Sequence, residues 1–549
     1  MESIIDALRL REFDRILESY KSGKGRTEAR IVEAENWWKL RNGAPHKDEG
    51  GFRSSSGWLH NVIVSKHADA MEAYPEPLIL PRERSDREEA RRLTAILPCI
   101  LEQNRFEEVY ADVMWQKLKT GTGVYKIGWD SSRLGGLGDI SIERVNLLNL
   151  YWEPGITDIQ KSRYLFHTEL QDKDLLRERY PQLQNALKST GFLPTRFAFD
   201  DRVDTENKAC VIEVYYRKNG ALHYCKYVGD QLLFASENEP EMAVRGLYDH
   251  GQYPFVFDPL YPIEGSPCGY GFVDLCRNPQ TEIDLLKTSF VRNAAVGAAP
   301  RYFSRGDGAV NEEEFLDLSC PIVHVSGNLG ADSLRPIDCH SLDGTYVSLL
   351  DRTIEELRET SGNTETSVGK ISHGVTAASA IAALQEASGK GSRDANAGSY
   401  RAYTRLMELC IELIRQFYRM PRQFRILGSA GMEDFLSYDN QSLRPQPQGN
   451  LFGLELGCRL PVFDIKIRAQ KRSAYSRLSQ NELALQLFQL GFFRPENRMA
   501  ALSCLEMMDF EGREELMGRL RSMAIPPAAA PLPPFARGTV GLSAPPTEQ

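Results

Sequence analysis

The sequence predicts an α+β chain built from more than one substructure, and three observations carry that prediction. At 549 residues the chain exceeds what one compact core accommodates. Its first 120 residues show helical periodicity, which gives way to strand patterning after Gly121-Thr122-Gly123. Composition then changes again near residue 270, where long amphipathic helices are expected. Apolar residues make up 42% and charged residues 26% of the chain, ordinary values for a folded protein.

Taken in order, Ile4, Ile5, Leu8, Phe13, Ile16 and Leu17 recur near helical spacing. Thr27 is placed to cap a second helix carrying Ile31, Trp37, Trp38 and Leu40. Further helices are expected over 58–73, 86–103 and 106–119. Strands are expected over 124–129 and 140–145, flanking a turn with Gly135, Gly136 and Gly138. Others follow over 164–170, 211–216, 222–228 and 232–235, the last two joined by Gly229-Asp230. Asn278 and Pro279 read as an N-cap and a first helical residue, with Ile283, Leu286, Phe290 and Val291 on one side. Residues 300–340 break into short pieces, among them a strand-like 321–325 and an acidic helix start at Glu312-Glu313-Glu314. A second long helix is expected over 342–360, on the spacing of Val347, Leu350, Ile354 and Leu357. Two helices of roughly 25–30 Å thus enclose a small α/β insertion.

Beyond Ser361-Gly362-Asn363 a polar loop runs to Val375. Thr376 caps an alanine-rich helix that meets Gly389, Gly391 and Gly398, where a kink is expected, and resumes from Tyr400 to Arg419. Strands are expected around 424–427 and 463–467, a helix from Ser479 to Leu490, and a last helix pair to Met523. From Pro526 the chain is rich in proline and small residues, the composition of a disordered tail.

The net charge of −9 argues against a sequence-reading DNA-binding domain, whose footprint is basic. It does not argue against a protein past which DNA slides, where tight phosphate contacts would act as a brake. No pair among the ten cysteines has CxxC spacing, and no histidines complete a zinc pattern; free thiols in a reducing compartment are expected. Neither a signal-peptide h-region nor an apolar run of membrane-spanning length occurs. Gly389-Lys390-Gly391-Ser392 departs from a P-loop, with Leu384 at the first glycine position and Gly391 where Ser or Thr belongs. HExxH and GxSxG are absent, and the acidic run Glu312-Glu313-Glu314 reads as a solvated first helical turn. No catalytic residue, cofactor or metal is assigned.

Three segments carry a resemblance. They are Gly269-Tyr270-Gly271-Phe272-Val273-Asp274-Leu275 leading to Asn278-Pro279-Gln280 and Ile283-Asp284; Gly374-Val375-Thr376-Ala377-Ala378-Ser379-Ala380-Ile381 with Leu384-Gln385-Glu386-Ala387; and Ser476-Arg477-Leu478-Ser479-Gln480-Asn481-Glu482 with Gly491-Phe492-Phe493. In sequence and in order, collinear over about 25–520, they resemble the portal proteins of tailed double-stranded DNA bacteriophages. The resemblance implies an N-terminal arm (1–25), an α+β wing (26–268), a first stem helix (269–299), a clip (300–340) and a second stem helix (341–360). It further implies a tunnel loop (361–375), a kinked tunnel helix (376–420), strands returning to the wing (421–472), a short helical crown (473–524) and a Pro-rich tail (525–549). Only that tail follows Met523, so the long helical barrel of some portals is not expected.

The function implied is a ring, a dodecamer, at one capsid vertex of the virion, assembled in the host cytoplasm, through which DNA is packaged and ejected. Partners implied are the large terminase subunit, a head-tail adaptor or tail protein, the major capsid protein and scaffold, and DNA without sequence specificity; no membrane is involved. Lys287, Arg292, Lys370, His373, Lys390 and Arg393 are candidates for contact with passing phosphate. For each, a solvated outer face is the alternative. A packaging ATPase or nuclease would need a Walker A motif or clustered carboxylates, and another virion or adaptor protein would not need the helix–insertion–helix unit.

Overall fold

A computed structural model describes residues 5–41, 54–183, 207–298, 301–304, 311–317, 322–326, 334–337, 343–363, 390–427, 433–448, 450–451, 454–455, 457–471, 484–492, 494, 498–507 and 513–522. They fall into two compact units, within 1–470 and 471–549. The α+β class expected from the sequence is the observed one.

Helix α1 spans Ala7–Trp38, its first turn capped by Asp6, whose Oδ1 accepts from the Arg9 N–H at 3.0 Å. The second helix expected at Thr27 does not exist as such: α1 runs on through Gly23, Gly25 and Thr27. Tertiary packing overrides the local glycines. Gly23 lies flat against Pro154, and the buried Lys24 ammonium donates to the Leu147 and Leu150 carbonyls and sits 4.4 Å above the Tyr151 ring.

Helices α2 (Trp58–Glu72), α3 (Arg87–Gln103) and α4 (Phe106–Thr120) lie close to their expected limits. Between α2 and α3 runs a strand, β1 (Ala73–Pro81), which local patterning did not reveal; it pairs with the strand Phe463–Lys471. After α4 come β2 (Thr122–Asp130), β3 (Asp139–Arg144), β4 (Leu150–Trp152), β5 (Tyr164–Asp172) and a short helix α5 (Lys173–Arg179). Then follow β6 (Lys208–Lys218), β7 (Ala221–Val228), β8 (Gln231–Ala235), the single turn α6 (Met242–Arg245) and β9 (Phe255–Pro259).

Two antiparallel sheets result, ordered β3-β2-β9 and β4-β5-β6-β7-β8. Successive side chains of central strand β6 point to opposite faces. Cys210, Ile212, Val214 and Tyr216 meet Leu10, Phe13, Leu17 and Tyr20 of α1, while Val211 and Tyr215 pack on the other side. The main core joins α3, α4 and β2 through Leu97, Ile100, Phe106, Val113 and Val124.

Helix α7 (Phe272–Ala298) starts seven residues earlier than Pro279, which lies inside it rather than at its first position. Proline removes one helical hydrogen bond, at a cost near 3 kcal/mol. Burial of Phe272, Val273 and Cys276 on one helical face offsets that loss. Between α7 and α9 (Gly344–Ser361), the strand Tyr302–Ser304 pairs antiparallel with Leu334–Pro336. The turn α8 (Glu312–Leu316) begins at the expected acidic residues, capped by Asn311. Of the expected strand over 321–325, the described part holds a single bridged residue, Val325.

Helix α10 (Lys390–Phe417) runs as helix through Gly391 and Gly398, so chain expected to resume at Tyr400 is helical from Lys390. Thr376 and the alanine-rich segment lie outside the described residues, as does Gly389. The strands Arg422–Leu427 and Glu433–Tyr438 form a hairpin against α3. In the second unit, helical residues 484–489 and helices Arg498–Met507 and Arg513–Ser522 enclose Leu487, Ala501, Leu505, Met517 and Leu520. The Pro-rich tail lies outside the described residues.

Candidate functional site

The start of α7 is set by close backbone packing. A Cβ at Gly269 would lie 2.4 Å from the Tyr261 carbonyl oxygen, and one at Gly271 would lie 2.6 Å from that of Lys119. Only glycine admits such an approach, which explains the Gly-Tyr-Gly run physically. Gly121, with φ of 88°, closes α4 on the other side of this junction.

A polar ladder then ties α7 to the chain entering α2. Gln280, Asp284 and Thr288 recur every four residues and so share one face. Gln280 Oε1 accepts from the Leu59 N–H at 3.0 Å, Asp284 Oδ1 from the Ser56 N–H at 2.8 Å, and Thr288 Oγ1 from the Ser54 N–H at 2.9 Å. Gln280 Nε2 donates in return to the Ser56 carbonyl at 2.9 Å. The bond to Leu59 satisfies an N–H in the first turn of α2 that the helix itself cannot, and those to Ser54 and Ser56 fix the chain leading into it. Below the ladder, Ile283 of α7, Leu357 of α9, and Leu59 and Ile63 of α2 share one apolar cluster.

Two buried lysines hold α10. Lys117 Nζ donates to Asp258 Oδ1 at 2.7 Å, Ser399 Oγ at 2.7 Å and the Ala395 carbonyl at 3.2 Å. Lys66 Nζ donates to Ser392 Oγ at 3.0 Å and to the Gly362 carbonyl, just past α9, at 3.2 Å. Ser392 Oγ donates to Asp69 Oδ2 at 2.7 Å. Burial pushes the Lys66 ammonium pKa down, and the nearby Asp69 carboxylate partly opposes it. Ser392, Ala395, Asn396 and Ser399 form one helical stripe facing both lysines across a cavity of about 10 Å³, the size of a single water.

Of the six residues expected to meet phosphate, Lys287 and Arg292 are exposed on α7 and Arg393 is exposed near the start of α10. Five residues apart, Lys287 and Arg292 project about 140° from one another around the helix, so no shared basic face forms on a single chain. Lys390 opens α10; Lys370 and His373 lie outside the described residues. The Gly389-Lys390-Gly391-Ser392 serine is engaged with Asp69 and Lys66. Lys66, Lys117 and Thr288 were not singled out from sequence, whereas Gln280 and Asp284 stand in the first of the three resembling segments. The i, i+4, i+8 spacing of Gln280, Asp284 and Thr288 is a local signal of their shared face.

Among the described residues no group of three His, Cys, Asp or Glu side chains is placed to hold a metal ion, and no helix is long and apolar enough to cross a membrane. The eight described cysteines are all free thiols. Compared with known families, residues 69–251 and 264–535 match a family model described as Phage P22-like portal protein. No curated protein matches the chain.

Proposed function

The chain belongs to the phage P22-like portal protein family, and on that premise we propose that it is the ring-forming subunit of a channel at one capsid vertex, through which double-stranded DNA enters and leaves. The observation that carries this reading is the α7–α9 pair enclosing a separate small insertion, within a chain matched along most of its length by the family. Leu285, Val291 and Val296 of α7 and Tyr346, Val347 and Leu349 of α9 are exposed on a single chain. Side chains of this kind along two helices suit burial against a neighbouring copy, as a closed head-to-tail ring requires.

In this reading α7 and α9 are the stem, 300–340 is the clip that docks terminase and then the adaptor or tail, and 361–375 enters the channel ahead of α10. Residues 473–524 form the crown. Contacts to DNA are electrostatic and sequence-independent, through Lys287, Arg292, Lys370, His373, Lys390 and Arg393 as ring copies bring them together. The subunit is structural and performs no nucleotide hydrolysis. Negative-stain images and sedimentation of the purified protein test the proposal. Closed rings with a central channel are the expected outcome; monomer at every salt concentration, or ATP turnover abolished by Lys390→Ala, overturns it. Exchanging 300–340 for a Gly/Ser linker is expected to abolish terminase and adaptor binding while leaving the α+β body folded.

A further inference from the structure

The end of α9 and the start of α10, which flank segment 364–389, meet the same side chain. The Gly362 carbonyl and Ser392 Oγ lie within 3.2 Å of one nitrogen, Lys66 Nζ. Lys66 is 5% exposed and sits in the middle of α2. Its neighbours complete the joint: Ser65 Oγ donates to Asn363 Oδ1 at 3.1 Å, and Asp69 accepts from Ser392 at 2.7 Å. Gly362 has φ of 63° and ends α9, its N–H donating to the Glu359 carbonyl. A carbonyl at a helix C-terminus is a favourable acceptor for an ammonium group. The first turns of α10 offer Ser392 from the opposite side.

We infer that Lys66 is the positioning residue that holds the two roots of segment 364–389 together, pinning the end of α9 and the start of α10 to the same point of α2. A methionine of similar length would fill the volume but donate nothing. The Gly362 carbonyl would lose its donor, and Ser392 would keep only Asp69. Charge-assisted hydrogen bonds of this kind are among the stronger ones in a folded chain. The consequence of the clamp for DNA rests on the reading that 364–389 enters the channel; the clamp itself does not.

Hydrogen exchange of the full-length assembled protein, read by mass spectrometry, tests it. Lys66→Met is expected to accelerate exchange in both 355–363 and 390–399 by about tenfold or more, with strand peptides from 208–228 unchanged. Acceleration at one root only, or at neither, overturns the inference. Should Lys66→Met fail to fold, Ser392→Ala carries the test, because it leaves Lys66 on Gly362. Exchange is then expected to rise in 390–399 alone, and an equal rise at both roots overturns the assignment. Labelling of Ser367→Cys, open in empty rings and suppressed in DNA-filled ones, examines the channel reading separately; equal labelling in both states removes that reading and leaves the exchange result standing.

Discussion

The five-stranded sheet and the α7–α9 pair treat their side chains in opposite ways. In the sheet, the buried Glu213 carboxylate is met by Lys126 at 2.7 Å, His167 at 3.0 Å and Lys226 at 3.4 Å, and accepts from the Tyr224 hydroxyl at 3.0 Å. Burial alone would raise its pKa, but the Lys126 and Lys226 ammonium groups and the hydrogen bond with His167 outweigh it and hold the group well below the usual range. Both faces of β6 are covered from within the chain. Along α7 and α9 the inner half is anchored to α2, whereas Leu285 and Val347 remain half or more exposed. The first region is finished by intrachain contacts, whereas the second leaves apolar side chains uncovered among the described residues, open to a neighbouring copy in the proposed ring. Stability and assembly should therefore respond to different mutations.

The largest effect is expected at another place closed by intrachain contacts, the buried ion pair between α4 and β9. Asp258→Ala strands the Lys117 ammonium, which is 1% exposed, and should cost about 3–5 kcal/mol in urea unfolding. A loss below about 1 kcal/mol would mean that Ser399 and the Ala395 carbonyl suffice to hold that charge.

On the helix pair, Leu285→Glu should change chain stability by no more than about 0.5 kcal/mol while abolishing rings in sedimentation. A destabilisation as large as that of Asp258→Ala would place Leu285 in the chain's own core and erase the contrast between the two regions.

An intermediate effect concerns acid. His250 Nδ1 accepts from the Gln252 N–H at 3.0 Å, the ring stacks on Tyr248, and burial pushes its pKa down to about 4 from 6.5. As pH falls, the unfolded chain takes up the proton first. The stability contribution is therefore intact above 6.5 and lost progressively towards 4, by less than about 3 kcal/mol. Thermal unfolding from pH 7 to 4 should show that slope in the native chain and a shallower one in His250→Asn; parallel curves would clear His250 of the role.

The smallest expected effect is that of Lys370→Glu. Ring formation and thermal midpoint should stay unchanged, while retention of packaged DNA falls slightly, more so at low salt. Retention equal to that of the native protein across salt concentrations would remove Lys370 from the channel.

Where structure arises from neighbouring residues, the sequence is readable. Helices α3 and α4 and the β6–β7–β8 meander follow from periodicity and turn residues, and they occur close to where those signals put them. Strand β1 was missed because Pro75, Pro77 and Pro81 punctuate it and its partner lies at 463–471. Pro279 misled for a related reason. Its helix-starting character is a local preference, and the apolar anchor ahead of it, Phe272 to Cys276, is a property of the tertiary fold. The candidate site divides in the same way. The Gly-Tyr-Gly junction stood out as a motif, but a lone lysine on an ordinary helix carries no pattern. Lys66 becomes visible only when Gly362 and Ser392 come together on it.

The pairing of β1 with Phe463–Lys471 also sets a schedule for biogenesis. At a synthesis rate of about 5–20 residues per second, roughly 20–80 s separate the emergence of β1 from that of its partner strand. Throughout that interval the strand waits without its partner; of its residues Leu78, Ile79 and Leu80, only Ile79 has its N–H met from the following helix, by Thr94 Oγ1 at 3.1 Å. The three prolines within β1 remove backbone donors from that waiting edge, so the residues that hid the strand from pattern reading are also suited to keeping it from pairing with another nascent copy before its own partner is made.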